Sequence, residues 1–274
     1  MQADNELQLA VLIDADNTSV KNLAAIMDEI TKYGVPIVKH AYGDWSKPTL
    51  AGWKEALLDV AVVPVQQYAY TAGKNATDIA LVIEAMDILR RDHVGGFVLV
   101  SSDSDFTPLA LRLRESGKKV FGIGRRQTPA PFIKACDKFV FVEILGDSPA
   151  AKIATEPAAS MPVPHKAAES AATALRPNPA KPQNKTGSLP TGKAKIVPRE
   201  IVELVAKCIA EGAGDSTACR LSTLGMLLGK KRPEFDSRNY GFSQLSKLLR
   251  SLPRFKVSGE GMGMQVHDTD TDAS

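Results

Sequence analysis

Short apolar runs alternate with helix-like patterns along the first half of the chain, and this alternation restricts the fold more than any other feature. The runs at residues 9–13 and 97–100 are continuous and uncharged. Strands that are apolar throughout are buried on both faces, as happens when helices cover both sides of a parallel sheet. The pattern therefore predicts a doubly wound α/β domain over residues 1–146.

The expected elements of this domain follow one another in regular order. The predicted strands are 9–13, 35–42, 61–65, 97–100, 119–123 and 139–142, and the predicted helices are 20–33, 49–58, 77–91 and 106–116. A last short helix is expected before the final strand.

Residues 147–196 differ sharply from what precedes and follows them. The segment holds eight prolines, twelve alanines and no Phe, Tyr or Trp. Without large apolar side chains it lacks the material for a core, and this composition is typical of an extended tether. We therefore expect two folding units, residues 1–146 and 197–267, with residues 268–274 as a polar tail.

The net charge of +3 is the sum of unequal parts. Residues 1–146 carry 16 basic and 18 acidic side chains (−2), residues 147–196 carry 7 and 3 (+4), and residues 197–267 carry 11 and 7 (+4). An acidic unit followed by basic segments suits a polyanion that one part holds and another part acts on. The alternative is an ordinary solvated surface.

Composition excludes several classes of protein. A hydrophobic fraction of 44% with 24% charged residues is that of a globular chain, which excludes wholesale disorder and coiled coil. We expect no membrane span and no secretory signal, and a cytoplasmic location. The three cysteines are scattered and form no metal-binding motif, so reduced, buried thiols are expected.

Acidic side chains follow the predicted strands where ligands bind in such sheets, beyond the carboxyl ends. Asp14, Asp16 and Asn17 follow the first strand, and Asp103 and Asp105 follow the fourth. A third acidic segment, 74–78, opens a helix at the same edge.

Carboxylates this close repel one another unless a cation lies between them. Mg²⁺ and similar ions take oxygen ligands and combine one or two carboxylates with waters and phosphate oxygens. We therefore expect a Mg²⁺ or Mn²⁺ site open to a phosphate. The alternative for Asp78 or Asp105 alone is a helix N-cap.

Other side chains near this edge are candidates for RNA binding. Aromatic rings can stack on single-stranded bases, and basic side chains can hold phosphates. Each of them could equally be a packing or solvated residue. These candidates are Tyr42, Trp45, Lys74, Arg125 and Arg126.

Three motifs, VLIDADN, KNATDIAL and VLVSSDSDFTPLALRLRESGKKVFGIG, together resemble the NYN domain of the PIN-like nuclease group. The resemblance covers residues 7–146 and implies a metal-dependent ribonuclease on a parallel sheet of strand order 3-2-1-4-5. Ser102 stands where a glycine is often found. The family's acidic and amide positions match Asp14, Asn17, Asp78, Asp103 and Asp105, with the four aspartates as metal ligands.

A second enzyme class also fits the first motif. Asp14-Ala15-Asp16-Asn17-Thr18 resembles the DxDxT opening of haloacid-dehalogenase-like phosphatases, in which Asp14 would be the nucleophile and Asp16 a general acid. This alternative leaves Asp78 without a role.

The last seventy residues show three helical patterns followed by two strand patterns around a glycine-rich turn, which predicts a smaller winged helix-turn-helix domain. The PEFD…YGF segment resembles the OST-HTH or LOTUS domain. The resemblance implies RNA binding, with a protein partner as the alternative. The candidate RNA-binding residues are Lys230, Lys231, Arg232, Arg238, Tyr240 and Lys247.

The sequence thus predicts a cytoplasmic endoribonuclease whose second domain holds RNA. The non-enzymatic alternative is an RNA-binding adaptor whose acidic edge binds metal without turnover.

Overall fold

The computed structural model describes residues 6–68, 75–145, 197–214, 216 and 218–270. The segment 147–196, interpreted above as a tether, lies outside the described residues, as does Lys74.

The first domain is a six-stranded parallel sheet flanked by helices. Its elements are β1 (Gln8–Asp14), α1 (Leu23–Ile30), β2 (Val35–Gly43), α2 (Trp53–Asp59), β3 (Val63–Gln66), α3 (Ala76–Arg91), β4 (Gly96–Val100), α4 (Thr107–Glu115), β5 (Lys119–Gly124), α5 (Ala130–Ala135) and β6 (Lys138–Phe141). The strand order is β3-β2-β1-β4-β5-β6, so the doubly wound fold is confirmed.

Two hydrophobic cores lie on opposite faces of the sheet because successive strand residues point in opposite directions. In β1, Leu9, Val11 and Ile13 pack with α1 and α2. Ala10 and Leu12 pack with α3, α4 and α5. A strand buried in this way must be apolar at every position, which explains the continuous runs in the sequence.

Register brings the carboxyl ends of the central strands together. Ile13 lies beside Val100, and Val100 beside Ile123. The chain order reverses between β1 and β4, which is the switch point where such sheets bind ligands. The loops after β1, β4 and β5 therefore meet at one edge.

The second domain contains three helices and a small antiparallel sheet. Its elements are α6 (Arg199–Ala213), β7 (Ala218–Arg220), α7 (Leu221–Lys231), α8 (Leu245–Arg250), β8 (Phe255–Ser258) and β9 (Gln265–Asp268). Val205, Leu224 and Leu248 are fully buried in its core. This is a winged helix-turn-helix arrangement.

Two details of the second domain differ from the expectation. The wing has three strands, in the order β7-β9-β8, because a short strand before α7 joins the predicted pair. Asp268, expected to begin the tail, is the last residue of β9.

Candidate active site

Asp14 is the best anchored residue of the acidic edge. It ends β1 and is fully buried. The Asn17 side-chain amide and the Ser101 hydroxyl donate to its Oδ2 at 2.9 and 2.8 Å, and the Asn17 N–H donates to Oδ1 at 3.2 Å. Burial raises the pKa of Asp14, although these hydrogen bonds favour the charged form. The carboxylate is therefore held in one fixed orientation.

The loop after β4 is ordered by its own polar side chains. Ser101 accepts the Asp103 N–H at 3.1 Å while donating to Asp14. Asp103 then caps the short 3-10 turn Ser104–Phe106, since its Oδ1 accepts the Asp105 N–H at 2.9 Å. Capping thus uses one carboxylate oxygen of Asp103, and the cap is Asp103 rather than Asp105.

The first turn of α3 connects the two loops. The Asn75 side-chain amide donates to Asp105 at 3.2 Å, and the Thr77 hydroxyl donates to Asp16 at 3.1 Å. Asp78 also lies in this turn, three residues after the N-cap residue Asn75, whose side chain forms no cap bond. Segments far apart in the sequence therefore meet here.

Electrostatics indicate that the carboxylates share one environment. Burial raises the pKa of Asp78 to about 6, with further contributions from Asp14, Asp103, Asp105 and Asp16 in that order. Four negative charges within range of one carboxyl group favour its protonated form. Among the described residues, only Asp16 of these carboxylates has an ion-pair partner, Lys47.

Two residues of this site, Asp16 and Ser101, are given no role when the sequence is interpreted as that of a nuclease. Asp16 forms an ion pair with Lys47 at 3.0 Å and accepts the Thr77 hydroxyl. Ser101 organises both Asp14 and Asp103. The sequence signal for Ser101 is its position directly after a buried strand, where the carboxyl ends converge.

The aromatic candidates are placed as packing residues. Tyr42 is 1% exposed and belongs to the core, and burial, followed by the charge of Glu84, raises its pKa. Trp45 donates its indole N–H to the Val65 carbonyl at 3.0 Å and packs edge-on against Trp53. Tyr68, an aromatic residue that follows β3, is 55% exposed.

The two arginines after β5 have different surroundings. Arg125 lines a small cavity beside Asn17 and Ser101, and its guanidinium donates to the Asn17 carbonyl at 2.8 Å. Arg126 lies over the Phe141 ring, and its guanidinium makes a long contact of 3.5 Å with Asn239 of the second domain. Arg125 therefore belongs to the acidic site, and Arg126 adjoins the second domain.

Of the RNA-binding candidates in the second domain, some are exposed and others form ion pairs or pack against neighbours. Lys230 and Lys247 are exposed. Lys231 pairs with Glu211, and Arg232 pairs with Glu200 at 3.5 Å. Arg238 is bound to carboxylates, and Tyr240 is partly buried against Phe235.

Carboxylate oxygens are the ligand type that hard divalent cations prefer, and Mg²⁺ needs only one or two of them beside waters. Across residues 6–68, 75–145 and the described part of the second domain, no three Asp, Glu, His or Cys side chains are grouped closely enough to hold an ion on their own. At most two carboxylates of the acidic edge could bind one ion directly in this arrangement, and waters would complete its coordination.

In the part of the chain that is described, none of the helices has the length and apolar character needed to cross a membrane.

Comparisons with known proteins agree with the geometry. The NYN domain model matches residues 8–144, and the OST-HTH/LOTUS domain model matches residues 193–267. The crystal structure of a protein of unknown function from Vibrio parahaemolyticus RIMD 2210633 is similar at 22% identity, covering 51% of this chain and 94% of that chain with a TM-score of 0.44. That likeness is too low to add to the fold or the function. No curated protein matches the chain.

The NYN match spans half of the chain and includes every acidic residue of the site. The chain therefore belongs to the NYN domain family and carries an OST-HTH/LOTUS domain behind its NYN domain.

Proposed function

We propose that this protein is a metal-dependent endoribonuclease, in which the NYN domain cleaves RNA and the OST-HTH domain binds it. The observation that carries the proposal is the meeting of carboxylates from three separate segments around Asp78. A group of carboxylates that raise one another's pKa, with an arginine beside them, suits a phosphate that arrives together with a divalent cation.

Each side chain has a definite part in this proposal. Asp14, Asp78 and Asp103 are the proposed ligands of Mg²⁺ or Mn²⁺, of which one or two would bind the ion directly and the rest through water. Asn17 keeps the Asp14 carboxylate in position through its two hydrogen bonds. Asp105 is a further ligand or the base that orients the attacking water. The ion, when bound, supplies charge neutralisation at the phosphate and a more acidic water.

Arg125 is placed to hold the RNA backbone near these carboxylates. Its backbone N–H donates to the Ser102 hydroxyl at 2.9 Å, and its guanidinium contacts the loop after β1. Water attack at phosphorus that expels the 3′ oxygen leaves a 5′ phosphate, so these are the ends expected. The reduced, buried cysteines suit action in the cytoplasm.

Cleavage of labelled single-stranded RNA tests the proposal. Wild type is expected to cut the RNA with Mg²⁺ or Mn²⁺ and not with EDTA. Asp103→Asn is expected to be slower by roughly 100-fold or more, a loss typical of removing one group that stabilises transition-state charge. Asp92→Asn is the matched control, because Asp92 caps the C-terminal end of α3, away from the site, in a left-handed conformation that Asn also adopts.

Two results would contradict the assignment. If wild type and Asp103→Asn leave the RNA equally intact in the presence of metal, the catalytic assignment fails and the RNA-binding adaptor is the interpretation that stands. If both cut it equally, the activity does not come from this site.

A further inference from the structure

A short segment of the OST-HTH domain contacts the NYN domain at several points. Residues 233–240, hereafter the docking loop, connect α7 to the α8 region. The docking loop contains most of the PEFD…YGF motif that identifies the domain. In the NYN domain it contacts α1, β6 and Arg126.

The strongest contact is the ion pair between Arg238 and Glu29. The two guanidinium Nη atoms of Arg238 donate to the two carboxylate oxygens of Glu29 at 2.8 and 2.7 Å. Paired bonds of this kind are directional and stronger than single ones. Glu29 is only 3% exposed, so solvent screens the pair little.

The NYN side of this ion pair is built around Glu29. Lys32 and the Tyr33 hydroxyl each donate to the same carboxylate at 2.6 Å. Burial opposes ionisation of Glu29, but hydrogen bonds from Arg238, Lys32 and Tyr33 outweigh it and lower its pKa to about 2. Tyr33 in turn stacks on Phe121 of β5, with ring centroids 4.9 Å apart.

Within the OST-HTH domain, Asp236 fixes the orientation of the Arg238 side chain. Asp236 accepts the Arg238 N–H at 2.9 Å and also two bonds from its guanidinium, at 3.0 and 2.7 Å. The guanidinium is therefore already oriented within its own domain, which reduces the entropy lost when it meets Glu29.

A second contact is independent of these charges. β6 is an edge strand of the sheet, and the N–H of Phe139 donates to the Pro233 carbonyl of the docking loop at 2.9 Å. An edge strand offers backbone N–H groups that another segment can pair with. The docking loop thus covers part of an edge that would otherwise face solvent.

The docking loop also reaches the neighbourhood of the acidic site. Asn239 contacts Arg126, and the preceding residue, Arg125, donates to Asn17. The OST-HTH domain is therefore placed beside the loop that borders the carboxylates.

We propose that residues 233–240 are an interdomain docking element, which fixes the OST-HTH domain on the β6 edge and the Glu29 corner of the NYN domain of the same chain. Arg238 then serves to join the two domains and is not part of the RNA-binding surface. The proposal does not depend on nuclease activity.

The same-chain contact is argued from the covalent connection of the two domains. Residues 146–196 connect the two domains, so docking within one chain is an intramolecular step. A covalent connection favours such a step over the same contact between separate chains.

Hydrogen exchange of the Phe139 amide in the full chain, followed by NMR, tests the proposal. In wild type this amide is expected to exchange slowly, at a rate that does not depend on protein concentration. Glu29→Gln and Arg238→Gln, one in each domain, should each raise its exchange rate about tenfold or more, the effect of losing roughly 1.4 kcal/mol of protection. The double variant should exchange no faster than the faster single variant, because both act through one contact.

Two controls distinguish undocking from unfolding. Amides of β4, in the middle of the sheet, should keep their exchange rates in both variants. Arg254→Gln removes a comparable bidentate pair, with Asp268, inside the OST-HTH domain. It should leave the Phe139 amide unchanged.

Three outcomes would overturn the proposal. One is fast exchange of the Phe139 amide in wild type, and another is an unchanged rate in Arg238→Gln. The third is protection that disappears on dilution, which would mean that the docking loop binds a second copy of the chain. If Glu29→Gln does not fold, Arg238→Gln alone decides between these outcomes.

Discussion

Asp14 shows how a single residue sets up the acidic site. A carboxylate without solvent contact is costly unless hydrogen bonds replace the lost water. Here the replacement comes from one residue of its own loop, Asn17, and one of the neighbouring loop, Ser101. Because Ser101 also binds the Asp103 N–H, the two loops of the acidic site are fastened to each other.

Removing the Ser101 hydroxyl should therefore weaken both fold and site. Ser101→Ala deprives the buried Asp14 carboxylate of one bond and the Asp103 N–H of its acceptor. We expect the free energy of unfolding to fall by about 1–3 kcal/mol, the range for leaving a buried polar group unsatisfied. Urea denaturation measures this loss. Ser116→Ala, an exposed serine at the end of α4, is the control and should change stability by less than about 0.5 kcal/mol.

Asp78 predicts an unusual dependence of stability on pH. Its pKa is about 6 in the folded protein, against 3.8 for an unperturbed aspartate, so the folded state favours the protonated form. The metal-free protein then loses stability as pH rises from about 4 to about 6, and the full penalty is present above that range.

Asp78→Asn should accordingly stabilise the metal-free protein at pH 7.5 and leave it nearly unchanged at pH 4. The expected gain is about 1–2 kcal/mol, after allowing for partial exposure of the side chain. Denaturation in EDTA at the two pH values measures it, and excess Mg²⁺ should remove the gain. A lower stability of the variant at pH 7.5 in EDTA would show that the carboxylates do not repel as described.

At the scale of elements, some features could be predicted from the sequence and others could not. The buried strands β1 and β4 are predictable within one residue, because an apolar run cannot be shifted without exposing it to water. β7 is not, since three residues are too few to show alternation. The helical pattern over residues 242–252 predicts an earlier start for α8 than Leu245. The helix begins at Leu245 because Gly241 is left-handed and Gln244 is extended.

In the candidate site, too, some contacts could be predicted from the sequence and others could not. The proximity of Asp14 and Asp103 could be predicted, since each follows a central strand of a parallel sheet. The bonds that link Thr77 to Asp16 and Asn75 to Asp105 could not, because they depend on side-chain conformations across loops of unknown shape. The contacts of Arg238 with Glu29 could not either, since they depend on how two domains are placed.

Strand β5 leaves no room for a side chain at Gly122. A Cβ at Gly122 would lie 2.4 and 2.7 Å from ring carbons of Phe139 and 2.8 Å from Cys136 Sγ. These contacts are shorter than atoms allow, and the Phe139 ring is buried between Phe132 and Phe141. The close packing of β5 against β6 therefore requires glycine.

Gly122→Ala should destabilise the NYN domain by about 1–3 kcal/mol, the usual cost of overpacking a core. Gly229→Ala is the matched control, because a Cβ there meets nothing within 4 Å in α7. Since alanine favours a helix, this second variant should be neutral or more stable by about 0.5–1 kcal/mol. Urea midpoints compare the two, and equal effects would mean that β6 moves freely away from β5.

At the scale of the whole molecule, RNA binding depends on the charge of each domain and on how the two domains are docked. The NYN domain is acidic near its site, and the OST-HTH domain has exposed lysines outside the docking loop, at Lys230 and Lys247. An RNA strand is repelled by the carboxylates until a cation binds, so most of its electrostatic attraction has to come from elsewhere. With the docking loop engaged, the remaining basic face of the OST-HTH domain is the expected binding surface.

The salt dependence of RNA binding tests this division of roles. Each phosphate contact on single-stranded RNA contributes about 0.7 to the slope of log affinity against log salt. Lys230→Ala with Lys247→Ala should therefore weaken binding and reduce the slope by about 1.4. Fluorescence anisotropy of a labelled single strand in EDTA, over a series of KCl concentrations, measures the slope without cleavage. Lys119→Ala is the control, because Lys119 begins β5 at the end of the sheet opposite the acidic site. An equal loss of slope in that variant would mean that RNA binds by overall charge and not through the OST-HTH face.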